Sequence, residues 1–255
     1  MSGSAAIGVR RDGVLATVRV GTGRRANALG THDWKALAGL FEDLAKDRTL
    51  RTVVISGSGS GSFSSGSDMR EWLSVAPGEI DASFAAMESA LTAIERLPVP
   101  VVASVRGTAA GAGCQLACAC DLRIVSEDAQ LGMPVARWGI LVPPAFAARL
   151  SLLTGPATAR DLLFTGRLVD GHEALQLGLA TACVPASELD DAVAALTSSI
   201  TAQPAAAIRA AKRSVDALLA PVRDRLRTSP TGPAADYDSM QAGLSMFLAR
   251  VSHTG

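Results

Sequence analysis

Two stretches of this chain place small residues where a strand meets a helix, and free backbone N–H groups are the chemistry they offer. Thr108 to Gly113 lies between the β-branched apolar run Val101–Val105 and the small apolar segment Cys114–Cys120. Small residues let a backbone approach another group closely, and the first helical turn leaves N–H groups unsatisfied. Such an end holds an anion, or an oxygen that becomes anionic during a reaction. Plain packing of a buried helix explains the same residues, and both readings stand at this point. Ser56–Ser67 is the second stretch. Its Gly/Ser composition is that of a flexible linker. Yet a strand ends before it and Asp68–Leu73 begins a helix after it, so it too delivers N–H groups to a helix start.

Groups that ligate or titrate are sparser. Cys114, Cys118 and Cys120 crowd one apolar segment and Cys183 stands apart, with no paired ligand spacing and no histidine beside them. No metal is expected there; small buried thiols of a reducing, cytoplasmic compartment are. His32 sits at a helix start, His172 in a surface-type segment and His253 near the end. None has a catalytic context.

The elements that must hold these stretches follow from periodicity. At 255 residues and 48% hydrophobic content the chain can bury one large core. Charges balance to zero and aromatics are 4%, so nothing favours nucleic acid. No stretch is long and apolar enough to span a bilayer, and the start lacks an apolar signal core. Strands are expected at Val14–Val20, Thr52–Ser56, Val101–Val105, Leu122–Val125 and Ala180–Val184. Helices are expected over 32–46, capped by Thr31, over 82–97, 114–120, 145–153, from Pro156, over 171–178, from Ser187, and through most of 187–250. The loop Thr228–Pro233 interrupts the last of these.

As a set these segments resemble the crotonase (enoyl-CoA hydratase/isomerase) superfamily. Leu97-Pro-Val-Pro-Val-Val-Ala-Ser-Val-Arg-Gly107, Gly111-Ala-Gly-Cys-Gln-Leu-Ala117 and Cys120-Asp-Leu-Arg-Ile-Val125 resemble its central block. Asn27-Ala-Leu29 resembles its N-terminal motif, and Phe63-Ser-Ser-Gly-Ser-Asp68 its Phe-Ser-Ala-Gly-Ala-Asp loop. Glu173-Ala-Leu-Gln-Leu-Gly-Leu-Ala180 and Phe247-Leu-Ala-Arg250 resemble its later segments. The resemblance implies an α/β fold, a spiral of ββα units over 1–196, and a C-terminal helical region, 197–255, used in a homotrimer or a dimer of trimers. It also implies an acyl-CoA thioester ligand, with no cofactor beyond the coenzyme A of the substrate. By position, the backbone N–H groups of Ser67 and Ala112 form the oxyanion hole. Arg25, Ala28, Ser65, Ser67, Asp68, Met69 and Arg70 line the coenzyme A channel, with Arg70 and Arg24 or Arg25 toward the phosphates. Trp138 shapes the acyl pocket or packs the core.

The sequence departs from the resemblance where the chemistry would sit. Hydratases of the family use two glutamates, whose places fall at Gln115 and Val135. A Gln side chain orients water through hydrogen bonds but takes no proton at neutral pH, and Val does neither. Glu71, Glu79, Asp81 and Glu88 lie on or near helices that cover the pocket in this family, and a solvated helix face is expected for each. Three readings remain: a family enzyme with altered chemistry, an acyl-CoA-binding protein without turnover, or a base-free decarboxylase that needs only the oxyanion hole. Val135, Trp138 and Leu141 imply an apolar acyl pocket, which ranks the decarboxylase last.

Overall fold

The computed structural model describes residues 6–59, 61–73, 75–228 and 232–252. The chain opens with a hairpin, β1 (Ile7–Asp12) against β2 (Leu15–Val20), turned by Gly13 and Val14, with Gly13 at φ +55. After β2 come α1 (Thr31–Leu44), β3 (Thr52–Gly57), a 3-10 turn (Met69–Leu73) and α2 (Pro77–Glu95). The middle of the chain is β4 (Val101–Val105), β5 (Thr108–Ala110), α3 (Ala112–Cys118), β6 (Leu122–Ser126), β7 (Gln130–Gly132) and a second 3-10 turn (Pro134–Trp138). Then follow α4 (Pro144–Thr154), α5 (Pro156–Thr165), β8 (Leu168–Val169), α6 (Gly171–Gln176), β9 (Ala182–Val184), α7 (Leu189–Ala202), α8 (Ala205–Thr228) and α9 (Tyr237–Ser252).

The strands form two sheets. The larger runs β1-β2-β3-β4-β6-β9, parallel from β2 onward, and the smaller runs β5-β7-β8. Each of β4 and β6 is followed closely by a short strand of the second sheet, so the chain winds as successive ββα turns. The expected spiral is what the structure has, with a helical C-terminal region after it. Residue 196, where the sequence reading ends the core, lies inside α7.

The largely apolar run of β4, with Ser104 as its polar member, follows from burial on both faces. Val101, Ala103 and Val105 face the main core under α1, α2 and α3; Val102, with Val54 and Ile124, faces Leu189 and Val193 of α7. The helices α1 and α2 present Trp34, Leu37, Phe41 and Ile80, Phe84, Met87, Leu91, Ile94 at helical spacing.

Several local expectations need correction. Thr31 opens α1 instead of capping it. Gly30 is the cap, its N–H donating to Asp33 Oδ2 at 2.9 Å, while the Thr31 N–H donates to Glu71 Oε2 at 2.8 Å. Glu188, not Ser187, precedes α7. Half of the expected small-residue turn is strand β5. The sequence carries no strand signal at β1, because its Gly-Val-Arg-Arg core is exposed and shows no apolar alternation. His253 lies outside the described residues.

One buried ionic cluster ties α2 to α4. Arg149 donates to both oxygens of Glu88 (2.6 and 2.8 Å) and to Glu95 Oε1 at 2.9 Å. Burial opposes the guanidinium charge, but the two carboxylates outweigh it and hold the group protonated. Arg149→Met strands two carboxylates near the core. It is expected to lower the unfolding free energy by about 3–5 kcal/mol in urea titrations, and a loss below about 1 kcal/mol would contradict this role.

Candidate active site

The Gly/Ser stretch is a tethered loop, not a linker. The Ser64 N–H donates to the Thr108 carbonyl at 3.0 Å and the Ala110 N–H donates to the Ser64 carbonyl at 3.0 Å, which lays the loop beside β5. On its other side the Ser65 N–H donates to the Ala26 carbonyl (2.8 Å) and the Leu29 N–H to the Gly66 carbonyl (2.8 Å). Residues 25–27 turn left-handed at three successive non-glycine positions, at φ +50, +47 and +56. Asn27 offsets that strain. Its buried amide donates to the Ser58 and Ser62 carbonyls, and its Oδ1 accepts from the Gly23 N–H.

Two glycines let this loop touch the start of α3. A Cβ on Gly66 would lie 2.8 Å from the Ala112 nitrogen and 3.2 Å from the Gly113 nitrogen; a Cβ on Gly113 would lie 1.9 Å from the Ser64 carbonyl oxygen. The two segments thus meet backbone to backbone. Around Leu29 the bridge uses the Gly66 carbonyl and the Asp68 N–H. In such a parallel bridge the N–H of the intervening residue, Ser67, points away. Among the described residues neither the Ser67 nor the Ala112 N–H has an acceptor. Arg123 fixes the far end of α3, donating from Nη1 to the Cys120 carbonyl (2.7 Å) and from Nε to the Leu179 carbonyl (2.9 Å). A buried cation at the last carbonyls of a helix is favourable there.

These N–H groups sit at a cleft of about 540 Å³. Ser65, Ser67, Met69, Ala112, Val135 and Trp138, all expected at the site, line it together. So do Trp72, Phe84 and Phe146, which sequence reasoning did not assign. The Trp72 and Phe84 rings stack at 5.5 Å between centroids, and Phe84 and Phe146 at 6.4 Å. The helical spacing of Phe84 reads as core packing, and nothing local marks any of the three as a wall residue. No carboxylate, Lys, Arg or His stands among the described lining residues. Phe84, Val142, Pro143 and Phe146 also border a further space of about 1410 Å³, reaching Asp81, Glu88 and Leu141.

Other expected site residues fall elsewhere. Gln115 is fully buried behind the cleft wall, its Nε2 donating to the Phe146 carbonyl at 3.2 Å. Arg25, Ala28, Asp68 and Arg70 lie outside the cleft lining; Arg25 pairs with Asp68 at 2.8 Å and Arg70 is exposed. The Asp68 carboxylate also accepts from the Arg70 N–H at 3.2 Å, ordering the turn that follows. Of the four acids expected on solvated faces, Glu71, Glu79 and Asp81 are exposed and Glu88 is half-buried, and all four accept hydrogen bonds. Glu71 holds Thr31, Glu79 accepts from the Ala76 N–H, Asp81 from the Ala234 N–H and Tyr237 hydroxyl, and Glu88 from Arg149. Of the thiols, Cys114, Cys118 and Cys120 are buried as expected, whereas Cys183 is only half-buried. Among the described residues no cluster of His, Cys, Asp or Glu suits a metal ion.

The fold matches solved structures of the crotonase class. An enoyl-CoA hydratase from Mycobacterium avium subsp. paratuberculosis K-10 matches with a TM-score of 0.82 over 96% of both chains, at 26% identity. The family model described as "Enoyl-CoA hydratase/isomerase" matches residues 11–252, and the chain belongs to that family. A "Probable enoyl-CoA hydratase 2, mitochondrial" of Arabidopsis thaliana is 33% identical over 190 residues, 74% of this chain and 63% of that protein's length. The "Putative enoyl-CoA hydratase/isomerase YngF" of Bacillus subtilis (strain 168) is 30% identical over 202 residues, 79% of this chain and 78% of that one.

Two predictions follow from this geometry. Gly113→Ala forces the two segments apart and is expected to abolish saturable acyl-CoA binding; binding at the wild-type level would show that their contact is dispensable. In the native protein an alkylating reagent is expected to label Cys183 first, although burial and the nearby Glu127 and Asp170 raise its pKa. The other three thiols should label only on unfolding, as peptide mapping would read.

Proposed function

We propose that this chain binds a fatty acyl-CoA thioester with its carbonyl oxygen accepting from the Ser67 and Ala112 N–H groups. One observation carries this reading: two acceptor-free N–H groups, brought together by glycine-only contacts, open onto an apolar cleft. Such donors polarise the carbonyl and stabilise an enolate, and losing one elsewhere costs on the order of 3 kcal/mol. The acyl chain runs along Met69, Val135, Trp138 and Phe146, and the adjoining space past Phe84 gives room for a longer chain. Arg25, Ala28, Ser65, Asp68, Met69 and Arg70 form the coenzyme A side. Arg70 is free to meet phosphate, whereas Arg25 must share its charge with Asp68.

Standard hydration is not part of the proposal. Gln115 and Val135 occupy the places that the family resemblance gives to the two glutamates. Gln115 has no group that titrates near neutral pH, and one of its amide N–H groups is engaged by the Phe146 carbonyl. The protein therefore holds a thioester and polarises it, without the acid–base pair that adds water. A base-free decarboxylase would need the same hole, but a malonyl-type carboxylate would meet no cation among the described lining residues. The proposed assembly is a homotrimer or a dimer of trimers. The exposed Val215, Leu218 and Val222 on α8 are the kind of surface an interface covers. A cytoplasmic location, supported by the free thiols, belongs to the same proposal.

The test follows the conjugated-thioester absorbance of crotonyl-CoA beside an acyl-CoA titration. Saturable binding without measurable hydration is expected, with Gln115→Glu/Val135→Glu raising hydration by about 10²-fold or more. Wild-type turnover near the enzyme median of about 10 s⁻¹ would overturn the reading of the two missing acids. Absence of both binding and turnover would overturn the thioester assignment.

A further inference from the structure

One group of reactive side chains stands apart from the cleft, and none of its members lines it. Cys183 lies on β9, at the edge of the larger sheet, and is only half-buried, whereas the other three thiols are buried. Over it, α6 begins at Gly171. A Cβ there would lie 2.9 Å from Cys183 Sγ and 2.3 Å from the Ser126 carbonyl oxygen. That close approach brings His172 to the thiol, with Cys183 Sγ and His172 Nδ1 3.9 Å apart. On the other side of the ring, His172 Nε2 and Glu127 Oε1 are 3.6 Å apart. Glu127 follows β6, and its N–H donates to the Val184 carbonyl at 2.9 Å. In the sequence His172 has no catalytic neighbour; the pairing of β9 with β6 supplies two.

The order is that of a nucleophile, a base and a carboxylate that orients the base. Glu127 beside Nε2 favours the ring proton on that nitrogen, which leaves the Nδ1 lone pair to the thiol. The three groups do not converge on one point, so they are arranged to move a proton rather than to hold a metal ion. Such pairs are commonly long before a reactant arrives. The thiol needs the base. Burial first, then Glu127 and Asp170, raise its pKa, so little thiolate forms near neutral pH and unassisted attack is slow. The charged and titratable groups acting on the sulfur are Glu127 after β6, and Asp170 and His172 at the start of α6. An approaching reagent therefore meets negative charge, which repels anions and attracts cations.

We propose that Cys183, with His172 as its base and Glu127 orienting that base, is a modification site that takes up a small disulfide carrying no net negative charge. The thiol proton passes to His172 Nδ1 as Sγ attacks one sulfur of the disulfide. A new S–S bond forms to Cys183, the old one breaks, and the leaving thiolate takes the proton from the imidazolium. The cysteine is oxidised and the small disulfide reduced by the same two electrons. The site is independent of the thioester reading, because neither the cleft nor its N–H groups take part.

The test follows mixed-disulfide formation in the full chain by mass spectrometry with peptide mapping, near neutral pH and at low salt. The probes are cystamine, a cation, and glutathione disulfide, an anion, each rate being divided by the same reagent's rate with N-acetylcysteine. The adduct is expected on Cys183, with cystamine about threefold faster or more on that scale. His172 is exposed, so its replacement leaves the core untouched. His172→Gln, whose side chain takes no proton, should slow the reaction about tenfold or more. The gap should narrow as the pH rises and the thiol ionises unaided. An unchanged rate in His172→Gln overturns the role of the base, and so does a gap that stays constant with pH, which a merely structural effect would give. Equal scaled rates for the two disulfides overturn the ligand class. Adducts on the other thiols with Cys183 unmodified overturn the site.

Discussion

The site depends on one contact, the backbone-on-backbone meeting of the 64–67 loop with the start of α3. Any side chain larger than hydrogen at Gly113 would collide with the Ser64 carbonyl, and one at Gly66 would approach the Ala112 nitrogen closely. Everything nearby serves to keep that contact. The loop is stitched to β5 on one side and to the left-handed turn at Arg25–Asn27 on the other. Asn27 ties that turn back to the loop's own carbonyls. Arg123 anchors the opposite end of α3, a helix too short to hold its position by length alone. The result is a pair of fixed N–H groups that need no particular side chain, which is why a serine and an alanine can supply them.

The chemistry of the cleft is defined as much by where the acids went. Glu71 and Glu79 accept from the N–H groups of Thr31 and Ala76, and Asp81 from those of Ala234 and the Tyr237 hydroxyl. Glu88 shares Arg149 with Glu95. Glu71, Asp81 and Glu88 each hold one segment against another, and Glu79 caps the start of its own helix. Rotating any of them inward would break such a bond and place a charge against Phe84, Phe146 or Val142, at a desolvation cost. The molecule thus combines donors suited to a polarised carbonyl with walls that offer no ready base.

Much of the framework was legible because burial leaves a pattern. Val101–Val105 is apolar but for Ser104 since β4 is covered on both faces, and the spacing of Trp34, Leu37 and Phe41 marks the inner face of α1. Both N–H loops were legible as small-residue runs between a strand and a helix. The strands β1 and β7 were not, because the first is nearly all exposed and the second is too short to show a period. The aromatic wall was not legible either. Trp72, Phe84 and Phe146 come from three separate segments, and only their packing makes them one surface. Gln115 was placed at the site by resemblance, but its local sequence does not tell that its amide turns to the Phe146 carbonyl. The meeting of His172 with Cys183 and Glu127 is of the same kind, a property of surroundings supplied by distant parts of the chain.

The central claim is that a thioester carbonyl sits between the Ser67 and Ala112 N–H groups. The most direct measurement is the infrared carbonyl stretch of a ¹³C-labelled butyryl-CoA, recorded as a difference spectrum between free and protein-bound ligand. Two hydrogen bonds in a site poor in water weaken the C=O bond, so the account predicts a clear shift of the bound band to lower frequency. The shift should vanish in Gly113→Ala. A bound ligand whose carbonyl band stays at its position in water would contradict the account, because coenzyme A would then be held without its thioester in the hole.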